Sequence, residues 1–232
     1  MPYLDFVYNP QSFSEIDNIF PELPANSNRD TAKYALTHLE FADRIRELAG
    51  EGDIIEFGVC TGGTILPIGK ANPDRKVFGF DHFEGLEQTS QPTPGYSGWV
   101  EGAFRVGDPN YSWSPKSIDE VIQKCSVSPN IQIIVEDVHK LKDPSEYGIA
   151  KIGAVHIDLD IYEPTVSAFK FIDKCDWDEL YFRFDDWHGH EPDYDHHERK
   201  AFREWVDLNG YKYEIYEGGL TGGCKVWKRS DK

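Results

Sequence analysis

The sequence predicts an α/β protein with a doubly wound, mostly parallel sheet of seven strands and an antiparallel edge at its C-terminal end. Short apolar runs alternate with helix-length amphipathic segments, which is the pattern of repeated β-α-β units. A glycine-rich turn at residues 58–63 follows the first run, and two later runs each end in a pair of aspartates. In such sheets ligands bind at the carboxyl ends of the strands, near the point where the strand order reverses.

Two helices and two strands are predicted in the N-terminal half of the chain. Asp30 or Thr31 can cap the first helix, and Gly50 stands just past its end. Pro67 fits the second helix only in its first turn, where the missing N–H has no partner to lose. The predicted segments are a helix ending at about residue 49, a strand at 53–58, a helix after the turn at 61–64 and a strand at 76–81.

The C-terminal half continues the alternation and ends in two strands. Ser117 can cap a short helix that runs to Lys124, and Gly210 follows the last predicted helix. The predicted segments are strands at 131–135, 155–160 and 180–186, a helix at about 197–208, and antiparallel edge strands at 211–216 and 223–228.

Length and composition predict one domain at residues 29–232, preceded by an arm or lid at residues 1–28. A chain of 232 residues suits a single α/β domain with a large core. Residues 87–115 are rich in proline, glycine and tryptophan, and a loop of this length predicts an inserted substrate lid. Aromatic residues expected on the surface of segments 1–28 and 95–113 predict a homo-oligomer.

The net charge indicates which partners to expect, and the N-terminal pattern and the cysteines indicate the compartment. Forty-one acidic residues stand against 24 basic ones, and the net charge of −17 argues against a nucleic acid or membrane partner. The N-terminus lacks a secretory signal pattern, and no apolar stretch is long enough to span a membrane. Four widely spaced cysteines without a CxxC pair are typical of free thiols, so we expect a cytoplasmic protein.

Paired aspartates end two strands that a right-handed crossover can place side by side. Asp158 and Asp160 end one apolar run, and Asp185 and Asp186 end the next. Neighbouring strands lie about 4.8 Å apart, so these carboxylates would repel one another at one end of the sheet. A hard divalent cation with oxygen ligands, Mg²⁺ before others, would relieve the repulsion. The alternative is that these are ordinary strand-end aspartates that cap loops.

Three further strand ends carry an acid, and together they predict a nucleotide-like cofactor. Glu56 lies two residues before Gly58, which suits a ligand with an ammonium group, as S-adenosylmethionine has. Asp81 could bind ribose hydroxyls, and Asp137 could accept from an adenine amino group. The glycine spacing differs from the dinucleotide-binding fingerprint GxGxxG. A tight turn at Gly58 and a loop cap at Asp81 are the structural alternatives.

Several motifs occur in register with those of a known family. They are Glu56-x-Gly58-Val59-x-x-Gly62-Gly63, Phe80-Asp81-x-Phe83-Glu84-Gly85-Leu86, Trp99-x-x-Gly102-x-Phe104, His156-x-Asp158-x-Asp160-x-Tyr162-Glu163-Pro164-Thr165 and Asp185-Asp186-Trp187. Over roughly residues 30–206 the chain resembles the macrocin O-methyltransferase family. These are S-adenosylmethionine-dependent, Mg²⁺-dependent sugar O-methyltransferases of natural-product pathways.

The resemblance implies a Rossmann-like class I methyltransferase fold, an acceptor with hydroxyls that is sugar-like, and two cofactors, S-adenosylmethionine and Mg²⁺. It implies metal ligands at Asp158, Asp185 and Asp186, with Asp160 as the candidate general base. Apart from the resemblance, His188 follows Asp185-Asp186-Trp187 and is a possible second base beside the metal. The predicted cofactor-binding residues are Glu56, Gly58, Thr61, Gly62, Gly63, Thr64, Asp81, His82, Phe83, Asp137 and Asp158.

Two other functions remain open from the residues alone. A non-haem iron oxygenase could use His156-x-Asp158 and a downstream histidine as its metal-binding triad. A catalytically silent protein could bind a ligand on the same fold. The histidines at 188, 190, 196 and 197 could form a zinc or iron site, but a solvated loop before a helix explains them more simply.

Overall fold

A computed structural model describes residues 41–91, 99–110, 114–187, 196–217 and 222–228. The predicted arm at 1–28, the start of the first helix at Asp30 or Thr31, and His188 and His190 lie outside these residues. So do two parts of the predicted lid, residues 92–98 and 111–113.

The helices and strands follow the predicted order with boundaries that differ by a few residues. The helices are α1 (its described part, residues 41–48), α2 (Ile65–Ala71), α3 (Ile118–Cys125), α4 (Tyr162–Ile172) and α5 (His197–Asn209). The strands are β1 (Asp53–Phe57), β2 (Val77–Asp81), β3 (Ile131–Val135), β4 (Ile152–Ile157), β5 (Glu179–Phe184), β6 (Lys212–Glu217) and β7 (Gly222–Trp227). Short 3₁₀ turns at Val138–Lys140 and Pro144–Tyr147 connect β3 to β4.

The local signals that end and begin these helices are confirmed. The Ser117 hydroxyl accepts a hydrogen bond from the Glu120 backbone N–H and caps α3. Pro67 is the third residue of α2, where its missing N–H costs no helical hydrogen bond. Gly210 ends α5 with φ of +64°, a left-handed conformation that favours glycine.

All seven strands form one sheet in the order β3-β2-β1-β4-β5-β7-β6, which confirms the predicted doubly wound fold. Strands β1 to β5 pair in parallel, and β7 runs antiparallel to both β5 and β6. The chain winds outward from β1 to β3 and then returns to place β4 on the other side of β1. The strand order therefore reverses between β1 and β4, and ligands of such sheets bind at that point.

Two apolar layers cover the sheet and hold its central strands out of water. Strand β4 is buried along its whole length. One layer contains α4 and α5 with many aromatic rings, and Phe169 stacks on Trp205 there at 4.6 Å between ring centroids. The other layer contains α1, α2 and α3, with Phe41 and Ile65 in contact with the sheet. This packing fixes the strand ends that carry the acidic residues.

Among the described residues, the cysteines at 60, 125, 175 and 224 are free thiols. No helix in that part of the chain combines the length and the hydropathy that crossing a membrane requires.

Candidate active site

The glycine-rich turn and the acidic strand ends meet where the strand order reverses. Gly58 follows β1, and its N–H donates to the Phe80 carbonyl of β2 at 2.9 Å. The turn then closes on itself through a hydrogen bond from the Gly62 N–H to the Val59 carbonyl at 2.7 Å. It leads directly into α2, whose first turn lies next to the ends of β1 and β2. The predicted cofactor turn therefore lies beside the strand that carries Asp158.

Position 58 requires a glycine because the backbone of Asp158 lies directly against it. Its φ is +85°, and a Cβ at this position would lie only 1.7 Å from the Asp158 carbonyl oxygen. The sequence predicts a glycine at position 58 for a sharp turn and for the close approach of a ligand. The structure shows that the close approach also joins the end of β1 to the end of β4, because the Asp158 N–H donates to the Phe57 carbonyl at 2.9 Å.

Gly58→Ala is expected to damage both stability and the site. The methyl group would collide with the Asp158 backbone, and the left-handed φ would add about 1 kcal/mol or more of strain. We expect a fall in unfolding free energy of about 3 kcal/mol or more, measured by urea denaturation. Gly148→Ala is the matched control, because Gly148 also has positive φ but nothing lies within 4 Å of its added Cβ. Equal losses in both variants would contradict the steric account.

Asp81 organises the turn from the end of β2. Its Oδ2 accepts hydrogen bonds from the Val59 and Cys60 N–H groups at 2.9 and 2.8 Å, and its Oδ1 accepts from the Phe83 N–H at 2.6 Å. Phe83 is buried with a φ of +62°, so this hydrogen bond holds a strained residue in place. The predicted ribose-binding acid thus also shapes the backbone around it.

The remaining predicted cofactor residues occupy different positions around the turn. Glu56 and Thr64 are buried beneath it, and the Thr61 hydroxyl accepts from the Gly63 N–H at 3.2 Å. The His82 Nδ1 accepts from the Glu84 N–H at 2.9 Å beside the turn. Asp137 lies past the end of β3, where it caps a 3₁₀ turn and pairs with Lys140 at 2.9 Å. Asp137 is therefore partly engaged by neighbours in its own segment.

The four paired aspartates converge as predicted, together with a histidine. Donor atoms of Asp158, Asp185 and His156 all lie within 4.8 Å of one another. Asp186 lies outside that group of three and shares a hydrogen bond with Asp160 instead. Asp160 has a φ of +60°, a rare conformation for a residue with a side chain. The two acid pairs thus face each other across the ends of β4 and β5.

Burial, and then mutual repulsion, make the acids of this cluster hard to ionise. Loss of water contact first, and then the charges of Asp185 and Asp160, raise the pKa of Asp158 well above its usual range. The pKa of Asp186 is also raised well above its usual range, by burial and by the Asp160 charge. Burial raises the pKa of Asp160 to about 7, against the lowering effect of its hydrogen bonds. The cluster must therefore hold protons or a cation at neutral pH.

The donor set fits a hard divalent cation. Asp158 is partly exposed and Asp185 is buried beside it, so an ion from solvent can reach these oxygen ligands through Asp158. Carboxylate oxygens are the ligands that Mg²⁺ prefers. A doubly positive ion would also reverse the repulsion that raises the pKa of Asp158. The residues present therefore suit Mg²⁺ at Asp158 and Asp185, with Asp186 close by.

A buried polar ladder, defined as Glu56, His156 and Arg183, supports the cluster from below. The three residues are direct neighbours on β1, β4 and β5, and all are within 1% of complete burial. His156 Nδ1 lies 3.4 Å from Glu56 Oε2, and its Nε2 lies 2.6 Å from Arg183 Nη1. Arg183 Nη2 in turn pairs with Asp185 Oδ1 at 3.0 Å. The ladder thus links a predicted cofactor residue to a predicted metal ligand.

The contacts of the polar ladder fix the tautomer of His156 and thereby its ability to bind a metal. A guanidinium group only donates hydrogen bonds, so His156 Nε2 accepts from Arg183 and the ring proton lies on Nδ1, facing Glu56. The lone pair of Nε2 is then directed at Arg183. This contact disfavours His156 as a metal ligand, and with it the iron site built on His156-x-Asp158.

Trp99 covers Asp160 from the described part of the predicted lid. Its indole donates a hydrogen bond to the Asp160 carboxylate, and Trp99 is 8% exposed. The ring packs edge-on against His197 at 5.0 Å between centroids, with His196 beside it at 6.3 Å. These two members of the predicted histidine cluster are therefore buried against an aromatic ring rather than solvated.

Glu198 was not identified from the sequence, although it belongs to the site. It is fully buried in the first turn of α5 and accepts hydrogen bonds from backbone N–H groups beside both acid pairs. Burial raises its pKa to about 8, and the charges of Asp185 and Asp160 add to the shift. An acid at the start of a helix is typical of an ordinary first-turn residue, and no local signal in the sequence separates that role from this one.

Among known proteins, solved structures similar to this chain support its fold. No family model and no curated protein matches the chain. CalS11, described as a calicheamicin methyltransferase, is 19% identical with a TM-score of 0.64, and the match covers 100% of this chain and 98% of CalS11. The O-methyltransferase NovP is 18% identical with a TM-score of 0.62, covering 94% of this chain and 99% of NovP.

A third similar structure is an O-methyltransferase from Bacillus cereus in complex with SAH. It is 12% identical with a TM-score of 0.52, and the match covers 97% of this chain and 94% of that protein. These similarities show that the chain has the class I methyltransferase fold, as the motif resemblance implied. The descriptions of CalS11 and NovP as methyltransferases agree with the family to which the motifs pointed.

Proposed function

We propose that the protein is an S-adenosylmethionine-dependent and Mg²⁺-dependent O-methyltransferase that acts on a hydroxyl of a small molecule. One observation carries the proposal. Two converging pairs of aspartates lie beside a glycine-rich turn, at the point of a class I methyltransferase fold where the strand order reverses. The converging aspartates suit a divalent cation. The glycine-rich turn, at the point where the strand order reverses, suits a nucleotide-like methyl donor.

The turn and the strand ends around it would hold S-adenosylmethionine, which supplies an electrophilic methyl group on its sulfonium. Asp81 shapes the turn by accepting hydrogen bonds from the Val59 and Cys60 N–H groups, and its other oxygen accepts from the Phe83 N–H. Glu56 would be the partner of the donor's ammonium group; it is fully buried at this end of β1, and burial raises the pKa of its carboxyl well above the usual range. Thr61, Gly62, Gly63 and Thr64 would line the donor along the turn, and His82, Phe83 and Asp137 would contact its ribose and adenine.

Asp158, Asp185 and Asp186 would hold Mg²⁺, which lowers the pKa of a bound acceptor hydroxyl. Asp160 would remove the proton of that hydroxyl, and the Trp99 indole, which donates a hydrogen bond to its carboxylate, would orient it. The near-complete burial of Trp99 excludes water from one side of Asp160. His188 is a second candidate for the base and lies outside the described residues.

The proposed acceptor is a sugar or a glycosylated natural product. Adjacent hydroxyls on a sugar ring suit a cation held by carboxylates on one side only, because both oxygens can join its ligands. CalS11 is described in a second structure as a TDP-rhamnose 3′-O-methyltransferase, which supports a sugar acceptor by analogy. Residues 87–115 would cover such an acceptor, since Trp99 already reaches Asp160 from that segment.

Calorimetry and a turnover assay test the proposal. The full chain is expected to bind S-adenosylmethionine and to methylate at least one member of a panel of sugars, sugar nucleotides, polyols and phenols. EDTA should stop methyl transfer from labelled S-adenosylmethionine, and added Mg²⁺ should restore it. Methylation that persists in EDTA would refute the metal requirement, and lack of S-adenosylmethionine binding would refute the proposal as a whole.

Asp81→Asn provides the matched variant for the donor site. Asparagine has one acceptor oxygen, so it cannot serve all three N–H groups that Asp81 now binds. The affinity for S-adenosylmethionine should fall by about tenfold or more, which corresponds to the loss of one charge-assisted hydrogen bond. Asp74→Asn, at an exposed site past the C-terminal end of α2, should leave it unchanged.

A further inference from the structure

Glu198 joins the two loops that carry the acid pairs. Its Oε1 accepts hydrogen bonds from the N–H groups of Leu159 at 2.9 Å and of Asp160 at 3.2 Å. Its Oε2 accepts from the Asp186 N–H at 3.2 Å. The side chain is fully buried under the ends of β4 and β5, so water does not compete for these bonds. One carboxylate therefore ties the loop after β4 to the loop after β5.

The three bonded N–H groups lie directly beside the acids that converge. Leu159 follows Asp158 in the chain, and Asp186 follows Asp185. A movement of either loop would change the separation of the Asp158 and Asp185 oxygens, which now lie within 4.8 Å of each other. The backbone of Asp160 also needs a restraint. Its φ of +60° costs about 1 kcal/mol or more, so this conformation persists only where neighbouring contacts hold it. The bond to Glu198 is one such restraint.

Glu198 is a carboxylate although four aspartates already lie nearby, and its hydrogen bonds explain why. A further negative charge increases repulsion in the cluster, so an uncharged acceptor would be less costly. A glutamine, however, offers one acceptor oxygen and would turn its amide donors toward a backbone N–H. Only a carboxylate provides two acceptor oxygens that can bind N–H groups of both loops at once.

We propose that Glu198 is a positioning residue that sets the spacing of the two acid loops and thereby the affinity of the site for a divalent cation. The inference rests on the proposed function, in which Asp158 and Asp185 hold Mg²⁺. Glu198 itself does not bind the cation, since its oxygens face the backbone N–H groups of both loops. Residues behind the ligands commonly change metal affinity by about 10- to 100-fold.

The test compares Glu198→Gln with Glu204→Gln in the full chain. Glu204 is an exposed residue of the same helix whose carboxylate accepts from the Tyr162 hydroxyl at 2.5 Å. Mn²⁺ serves as the probe, titrated by calorimetry in the absence of acceptor and of S-adenosylmethionine. We expect the Mn²⁺ dissociation constant to rise about tenfold or more in Glu198→Gln and to stay unchanged in Glu204→Gln.

One further readout separates positioning from general support of the fold. The affinity for S-adenosylmethionine without metal should be unchanged in Glu198→Gln, while the urea midpoint in EDTA should fall because buried hydrogen bonds to both loops are lost. A loss of donor affinity that matches the loss of Mn²⁺ affinity would overturn the inference, as would wild-type Mn²⁺ binding by Glu198→Gln. Should Glu198→Gln fail to fold, Glu198→Asp keeps the charge but is too short to reach both loops. It should bind Mn²⁺ more weakly than the wild type, and equal binding would overturn the inference.

The same titration distinguishes this inference from the proposed function. A wild-type protein that binds no Mn²⁺ would refute the metal part of the proposed function and this inference together. A wild-type protein that binds Mn²⁺ as tightly as the folded Glu198→Gln variant would refute the inference alone.

Discussion

Asp158→Asn is expected to abolish methyl transfer through loss of the divalent cation. The substitution removes one of two carboxylates whose oxygens lie within 4.8 Å of each other, and it leaves the fold intact. Activity should fall by about three orders of magnitude or more, since stabilisation of a developing alkoxide by a cation is worth several kcal/mol. Mn²⁺ binding, followed by calorimetry, should fall in parallel.

The stability of this variant provides an internal check. The pKa of Asp158 is raised in the folded protein, so its ionised form destabilises the fold increasingly as the pH rises above the unfolded value. Asparagine removes that charge, and the urea midpoint in EDTA at neutral pH should therefore be higher than in the wild type. A lower midpoint would mean that activity was lost through misfolding.

Asp160→Asn separates the base from the metal ligands. Asp160 contacts Asp186 and Trp99 rather than the group of three around Asp158. We expect turnover to fall by about 10²- to 10⁴-fold while Mn²⁺ still binds. Equal loss of Mn²⁺ in Asp158→Asn and Asp160→Asn would contradict the separate roles.

Arg183→Met is expected to produce the largest loss of stability among the buried polar residues discussed. The substitution removes the cation that pairs with Asp185 at 3.0 Å and counters the Glu56 charge. Methionine fills a similar volume but leaves His156 and two acids without their partner in a site that is 1% exposed. Removing one partner of a buried pair costs about 3–5 kcal/mol, measurable by urea denaturation in EDTA.

Arg46→Met is the control for Arg183→Met. Arg46 forms an ion pair with Asp74 at 3.3 Å, and both side chains are largely exposed to solvent. Surface pairs of this kind contribute about 0–1 kcal/mol, so the two arginine variants should differ clearly. A loss in Arg183→Met no larger than in Arg46→Met would contradict the importance of the polar ladder.

Much of the fold and the outline of the site were predictable because strand ends follow from local patterns. Apolar runs that end in acids indicated that Glu56, Asp81, Asp158 and Asp185 finish strands. Parallel strands joined by helical crossovers align their carboxyl ends, so these acids had to meet at one end of the sheet. Ser117, Pro67 and Gly210 marked helix boundaries through equally local rules.

The residues that support the site were less predictable because their partners are distant in the chain. His156 and Arg183 stand within apolar runs, and only the register of β4 and β5 reveals that they are neighbours. Glu198 is 38 positions from Asp160, and the contact depends on how α5 docks against the sheet. For Gly58 the pattern indicated a turn correctly, but the neighbour that requires a glycine belongs to another strand.

The strand order has a consequence for how the chain is built during synthesis. Strand β5, which carries Arg183 and leads to Asp185, has β4 on one side and β7 on the other. Because residues 222–227 leave the ribosome after the other strands of the described residues, β5 keeps an unpaired backbone edge until β7 is made. The half of the sheet that carries the acid pairs is therefore completed late, and a ribosome that stalls before β7 would leave an edge that can pair with another chain.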